Sequence, residues 1–264
     1  MVRYDVIGAR KFSGTPYEAL KSLHANGFEP LSMQNEVRRH VVLQGSTLLR
    51  IKLKQEHVSE DYGKFSTQSI RAVGKTRAGN LVAVYAHMPN YLSMSPEVGE
   101  TADEVEPWGE KTQARTSNYP ELVQGAVPLQ EWYFRSLVDL DGLKNQQGER
   151  LLWVVDLPKL IGAPTYMSLY DSLQHPEFVP FIGDRQIAEQ FISYQGSLDY
   201  MNGIKIPFEH PLSSSPTAVF LKLKVGDRTI GLRTARADEK TDFIGIPKGS
   251  LPKEPSLEER LRVA

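Results

Sequence analysis

Two apolar stretches of the chain each run into an ionisable residue. "LVAVYA" at 81–86 leads into His87, followed by Met88-Pro89-Asn90-Tyr91, and "LLWVV" at 151–155 leads into Asp156, followed by Leu157-Pro158. A side chain at the carboxyl end of a buried strand is held rigidly at the lip of a crevice, where sites in sheet proteins gather. If the two strands are neighbours, Asp156 orients His87 and raises its basicity, the pairing that general-base catalysis requires. Asn90 and Tyr91 would then hydrogen-bond a substrate, and the implied activity is of hydrolase type. The plainer alternative makes His87 a satisfied strand-end histidine and Asp156 a turn cap before Pro158.

A second chemistry lies in alternating strands. "TLLRIKLKQ" at 47–55 sets Leu49, Ile51 and Leu53 on one face and Arg50, Lys52 and Lys54 on the other. "TAVFLKLKVGDRTIGLRT" at 217–234 folds back on Gly226-Asp227, a natural two-residue turn that pairs Val225 with Arg228. That register sets Leu223 opposite Ile230 and Leu221 opposite Leu232, and leaves Phe220, Lys222, Lys224 and Arg233 on the other face. Cations spaced along a strand with an aromatic beside them can follow a phosphate backbone and stack a base. Equally, lysines on a sheet face keep it solvated and discourage edge-to-edge aggregation.

Charge is unevenly laid out around a net of −1. Residues 38–77 hold nine Lys/Arg against three acids, whereas residues 97–110 hold six acids and no base. A near-neutral total argues against a dedicated nucleic-acid binder, whose domain is usually distinctly basic. An acidic protein surface, this chain's own 97–110 segment included, fits a basic face as well as nucleic acid does.

Other motif resemblances fail. "SIRAVGKT" at 69–76 ends like a phosphate-binding loop but has Ser69 where its first glycine belongs. "VDLDG" at 138–142 resembles the start of a calcium loop, yet Leu143 and Lys144 fall where a ligand and a glycine are required. The histidines at 24, 40, 57, 87, 175 and 210 never come within one helical turn of each other, so no local metal pair exists. With no cysteine, thiolate metal sites, disulfides and cysteine nucleophiles are excluded. Neither metal nor cofactor is expected.

The elements that must position these groups are legible in part. "GTPYEALKSLHANGF" reads as a helix with Thr15 as N-cap, Pro16 at its first position, Glu18 completing a capping box and Gly27 ending it. Residues 70–87 read as a hairpin turning at 77–80, and 81–86, apolar on both faces, as a central strand. "LQEWYFRSLVDL" carries helical spacing. So do "TYMSLYDSL", with Tyr166, Leu169, Tyr170 and Leu173 in one stripe, and "DRQIAEQFISYQG", capped by Asp184. Between the last two, "HPEFVPFIGD" at 175–184 is too apolar for an exposed lid and reads as a buried corner with His175 and Glu177 as its free polar groups.

Hairpins mixed with helices, without regular βαβ alternation, point to α+β: a mixed, mostly antiparallel sheet with helices packed on one side. We expect an N-terminal half at 1–120, a C-terminal half at 121–248 with the helix pair and the second hairpin, and a short tail at 249–264. The 93–120 segment, polar and proline-punctuated, reads as a long loop or hinge. No apolar run approaches the roughly 18 residues that span a bilayer. No secretory leader is recognisable, so a soluble, cytoplasmic protein is expected. Two readings follow: a binding protein whose basic hairpin face engages an anionic partner, nucleic acid foremost, and an enzyme built on His87 and Asp156. No catalytic motif here is specific, which favours binding.

Overall fold

The computed structural model describes residues 9–45, 65–87, 127–145, 148–160, 163–196, 203–206, 216–225, 229–235 and 239–250. Arg50, Lys52, Lys54, Asn90, Tyr91 and the acidic 97–110 segment lie outside them. The capping box of the first helix is present: Thr15 N donates to the Glu18 carboxylate at 2.9 Å, and the Thr15 hydroxyl accepts from Glu18 N at 3.4 Å. This helix, α1 (Pro16–Ala25), follows β1 (Arg10–Gly14) and precedes β2 (Phe28–Pro30) and α2 (Met33–Gly45). The predicted hairpin is β3 (Ser66–Lys75) and β4 (Leu81–Ala86), closed where Thr76 N donates to Asn80 O at 2.9 Å.

Then come β5 (Val127–Pro128), α3 (Glu131–Asp139), β6 (Leu152–Asp156), α4 (Leu157–Leu160) and β7 (Tyr166–Met167). A 3-10 turn (Asp171–Gln174) leads to α5 (Phe178–Ile182) and α6 (Arg185–Gly196). The strands β8 (Gly203–Lys205), β9 (Thr217–Val225), β10 (Thr229–Ala235) and β11 (Thr241–Pro247) complete the described chain.

All eleven of these strands join one mixed sheet. Most neighbours are antiparallel; β8 runs parallel to β10, and β11 meets β3 in parallel. The sheet follows the path β6-β4-β3-β9-β10-β8-β7, with β11, β1 and β2 joined at the Ser66 end of β3. The α+β class and the mostly antiparallel sheet agree with the hairpin-rich pattern. Helices, however, cover both faces. Ile70, Ala72, Val82, Val84 and Ala86 pack with α1 and α3, while Val73, Ala83 and Tyr85 pack with α2, α5 and α6. A pleated strand sends alternate side chains to opposite faces, so one that is apolar on both needs a layer on each side.

The division near residue 120 does not separate one sheet from another, because β3 and β4 pair with β9 and β6, and β11 pairs with β1 and β2. The helix predicted from "TYMSLYDSL" is also corrected. Tyr166 and Met167 pair with β8 as strand, and only Asp171–Gln174 winds, as 3-10. Met167 and Leu169 take the buried places, leaving Tyr166 52% and Tyr170 69% exposed. "VDLDG" protects a sheet edge instead of holding a cation: the Asp141 carboxylate accepts from Val154 N at 2.9 Å on β6, and Gly142 N donates to Leu152 O at 3.1 Å.

The "HPEFVPFIGD" corner is buried, as its apolar residues imply, and contains α5. Its polar groups are not free, because Glu177 is 3% exposed and engaged by Arg71 and Tyr85. The corner ends on Gly183 at φ 97°, whose carbonyl accepts from Gln34 Nε2 at 3.0 Å and Trp153 Nε1 at 2.9 Å. A Cβ on Gly183 would stand 2.7 Å from Gln34 Cγ and 2.8 Å from the His87 ring. Among the described residues, no helix is long and apolar enough to cross a membrane. Gly183→Ala therefore combines left-handed backbone strain with overpacking, and we expect denaturant melts to show a loss of about 2–4 kcal/mol.

Candidate ligand-binding face

The register of the sheet decides the fate of the expected catalytic pair. β4 and β6 are antiparallel, with Val82 opposite Asp156 and Ala86 opposite Leu152. His87 thus leaves one end of the strand pair and Asp156 the other, separated by about five residues of strand, on the order of 16 Å. The expectation assumed that both strands point the same way; antiparallel pairing sends their carboxyl ends apart. Asp156 is exposed and pairs with Lys159 at 2.7 Å.

His87 is 1% exposed and serves the interior. The Ser69 hydroxyl accepts from Met33 N at 2.8 Å and lies 2.9 Å from His87 Nδ1. His87 Nε2 lies 2.8 Å from the Pro180 carbonyl. A carbonyl only accepts, so Nε2 carries the proton, and Nδ1 accepts from the Ser69 hydroxyl. Burial drives the pKa of His87 down to about 4, with the Pro180 contact opposing it. On the same face of the sheet, Arg71 Nε contacts Glu177 at 2.8 Å and the Tyr85 hydroxyl at 2.8 Å, and Tyr85 donates to Glu177. Burial, the largest cause, pushes the Tyr85 pKa up, so the phenol stays protonated. These groups are sealed under α2 and α5 and present no surface to a substrate.

The basic hairpin exists, with its register shifted by two residues. Val225 faces Ile230, Leu223 faces Leu232, and Lys222 faces Arg233. An even shift keeps every side chain on its face, which is why the apolar set stays together while the turn chemistry misplaces the partners. Leu221, Leu223, Ile230 and Leu232 are buried in the second core, beneath α2 and α6. On the opposite face, Phe220 is 0% exposed and meets Phe243 edge to face, with centroids 5.9 Å apart. It therefore cannot serve as the surface aromatic expected among the lysines.

Beyond Phe220 this face of the sheet is open among the described residues. Lys224 lies opposite Gly231 on β10, Gly231 opposite Lys205 on β8, and Lys205 opposite Tyr166 on β7. Four strands thus present one straight row: Lys224, Gly231, Lys205, Tyr166. With strands about 4.8 Å apart, the row runs roughly 14 Å. Met167, Ile204 and Ile230 point the other way into the second core, which fixes the outward face of their neighbours. Lys205 and Lys224 are exposed, and Arg233 is half-buried with its Nε near Gly231. The Tyr166 ring is seated on Gly203, where a Cβ would lie 2.9 Å from Cζ. Lys222 reaches Glu239 at 3.5 Å, whereas Lys205, Lys224 and Arg233 form no ion pair among the described residues.

Lys222, Lys224 and Arg233 of the predicted set thus stand together, and Phe220 leaves it. Lys205 and Tyr166 join unforeseen. "GIKI" at 203–206 does carry the alternation of a strand with its lysine outward, but no local signal says which strand it lies beside.

The buried histidines make stability depend on pH. His40 is also held low, to about 3, by burial foremost and by Arg39. The unfolded chain takes up protons on both rings below about pH 6.5, while the folded chain does not until pH nears 4 or 3, so stability rises with pH across this window. Thermal melts should be insensitive to these groups above pH 7 and should fall steadily as the pH drops toward 4. His87 alone accounts for about 3 kcal/mol of that loss.

No family model matches the chain, and no curated protein matches it. A solved structure described as "Accommodation of massive sequence variation in Nanoarchaeota by the C-type lectin fold" superposes with a TM-score of 0.65 at 20% identity, over 92% of this chain and 99% of that one. The mixed sheet, flanked by helices on both faces and open over its β10-β8-β7 side among the described residues, is the C-type lectin fold.

Proposed function

We propose that this chain is a non-catalytic binding protein whose open basic sheet face takes an anionic macromolecule, with nucleic acid as the leading partner. One observation carries the reading: Lys222 and Arg233 stand directly opposite each other on that face, with Lys224 and Lys205 close by. Like charges placed across from each other destabilise a sheet. Among the described residues, one carboxylate, that of Glu239, is paired with this group. A local arrangement that costs stability without an internal gain marks a functional surface. The solved neighbour's description speaks of sequence variation accommodated by its fold. A frame that tolerates exchanged surface side chains suits a chain whose chemistry lies on one open face. A cytoplasmic setting, read from the composition, belongs to the same proposal.

Fluorescence anisotropy with a labelled single-stranded oligonucleotide across a salt series tests it. Four phosphate-contacting cations give a slope of log affinity against log salt of about −3. Each of Lys205→Ala, Lys224→Ala and Arg233→Ala should flatten that slope by about 0.7. Absence of binding at low salt, or slopes that none of the three substitutions alters, would end the reading.

A further inference from the structure

We propose that Tyr166 makes this face selective for single-stranded nucleic acid over duplex, by stacking one base at the end of the cationic row. The inference rests on the anion-binding reading and names its ligand more closely. Among the described residues, Tyr166 is an exposed aromatic of this face, at 52%. The Cζ–Oη end of its ring lies against Gly203, which has no side chain to lift it away, so the sheet supports the ring at that end. An exposed ring supported in this way is a stacking platform, and every base has a π-face to offer it. In a duplex the bases are already stacked within the helix and turn only their edges outward, so such a platform engages an unpaired base.

The positions of the cations match a strand crossing the sheet. Lys205 is the direct cross-strand neighbour of Tyr166, about 5 Å away at the backbone, so the phosphate beside a stacked base lies within reach of its ammonium. Lys224 stands two strands further, about 10 Å from Lys205, with Gly231 between them. Gly231 is buried under the Arg233 side chain, whose Nε stands 3.3 Å from where a Cβ would be, so a sugar–phosphate chain crossing there meets the Arg233 guanidinium, with Lys222 along its flank. An acidic protein surface would use the same cations but would gain nothing from a base-sized platform; charge complementarity together with the stacking ring favours the polynucleotide.

The test compares three probes on the intact chain: an oligo(dT) strand, a duplex of equal length, and heparin, a polyanion without bases. The unsubstituted protein should bind the single strand more tightly than the duplex. Tyr166→Leu should lower oligo(dT) affinity about tenfold and leave heparin unchanged. Tyr166→Phe, which keeps the ring, should retain the affinity of the unsubstituted chain and guards against a mere folding defect. Lys224→Ala should weaken all three probes. Arg185→Ala, on α6 at the opposite face, should weaken none. Equal affinity for strand and duplex, or a Tyr166→Leu chain whose oligo(dT) affinity is unchanged or falls only in step with heparin, overturns the strand preference. Where heparin binding still responds to Lys224→Ala in that case, the anion-binding reading stands. Failure of all three probes to bind overturns both.

Discussion

The imidazole of His87 joins pieces of chain that no local force would bring together. It takes a hydrogen bond from Ser69 on β3 and gives one to the Pro180 carbonyl in α5, while Ser69 also receives the amide of Met33 at the start of α2. This chain of bonds works only with a neutral ring, and burial keeps the ring neutral. It sets α2 and α5 against β3 and β4 over a layer that also contains the Arg71–Tyr85–Glu177 cluster. A helix as short as α5, five residues long, has no stability of its own and depends on such tertiary contacts. One face of the sheet is closed by α2, α5 and α6, and the other only partly by α1 and α3. Among the described residues, the row ending at Tyr166 therefore stays open.

Among the described residues, cations of two kinds occur that the sequence does not distinguish. Of the nine in residues 38–77, Arg39 is buried against Glu36 at 2.6 Å and Arg71 against Glu177. Arg38 pairs with Glu149, and Arg77 with Asp139 at 3.1 Å. What reads as a basic block is, in these four residues, a set of internal and lateral ion pairs. The open face draws instead on Lys205, Lys222, Lys224 and Arg233, which stand on strands whose alternate residues are buried. A charge density counted along the chain is therefore a poor guide to one counted across a surface.

The loss of the His87–Asp156 pair and the gain of the Tyr166–Lys224 row have one origin. Both depend on strand direction and alignment. Antiparallel β4 and β6 send His87 and Asp156 to opposite rims, and the parallel alignment of β8 with β10 brings Lys205 beside Gly231. The C-type lectin fold supplies that arrangement as a frame. At 20% identity to the solved neighbour, what is shared is the fold.

Residues 16–25 determine their helix by themselves, because Thr15, Pro16 and Glu18 act within a single turn. So do the alternation of 221–224, the both-sided burial of 81–86 and the buried corner at 178–182, since each is a preference of consecutive residues for water or for the interior. Direction, register and partner were decided only in the tertiary structure. A period-two pattern is unchanged when a strand is reversed or slipped by two residues, so the sequence around Val225 and Asp156 is equally consistent with several pairings. The same holds for "TYMSLYDSL", whose helical spacing is overruled when β8 offers Tyr166 and Met167 a strand partner. Burial of side chains far apart in sequence selects among these pairings, and that selection is what leaves Tyr166 and Lys205 side by side on one outward face.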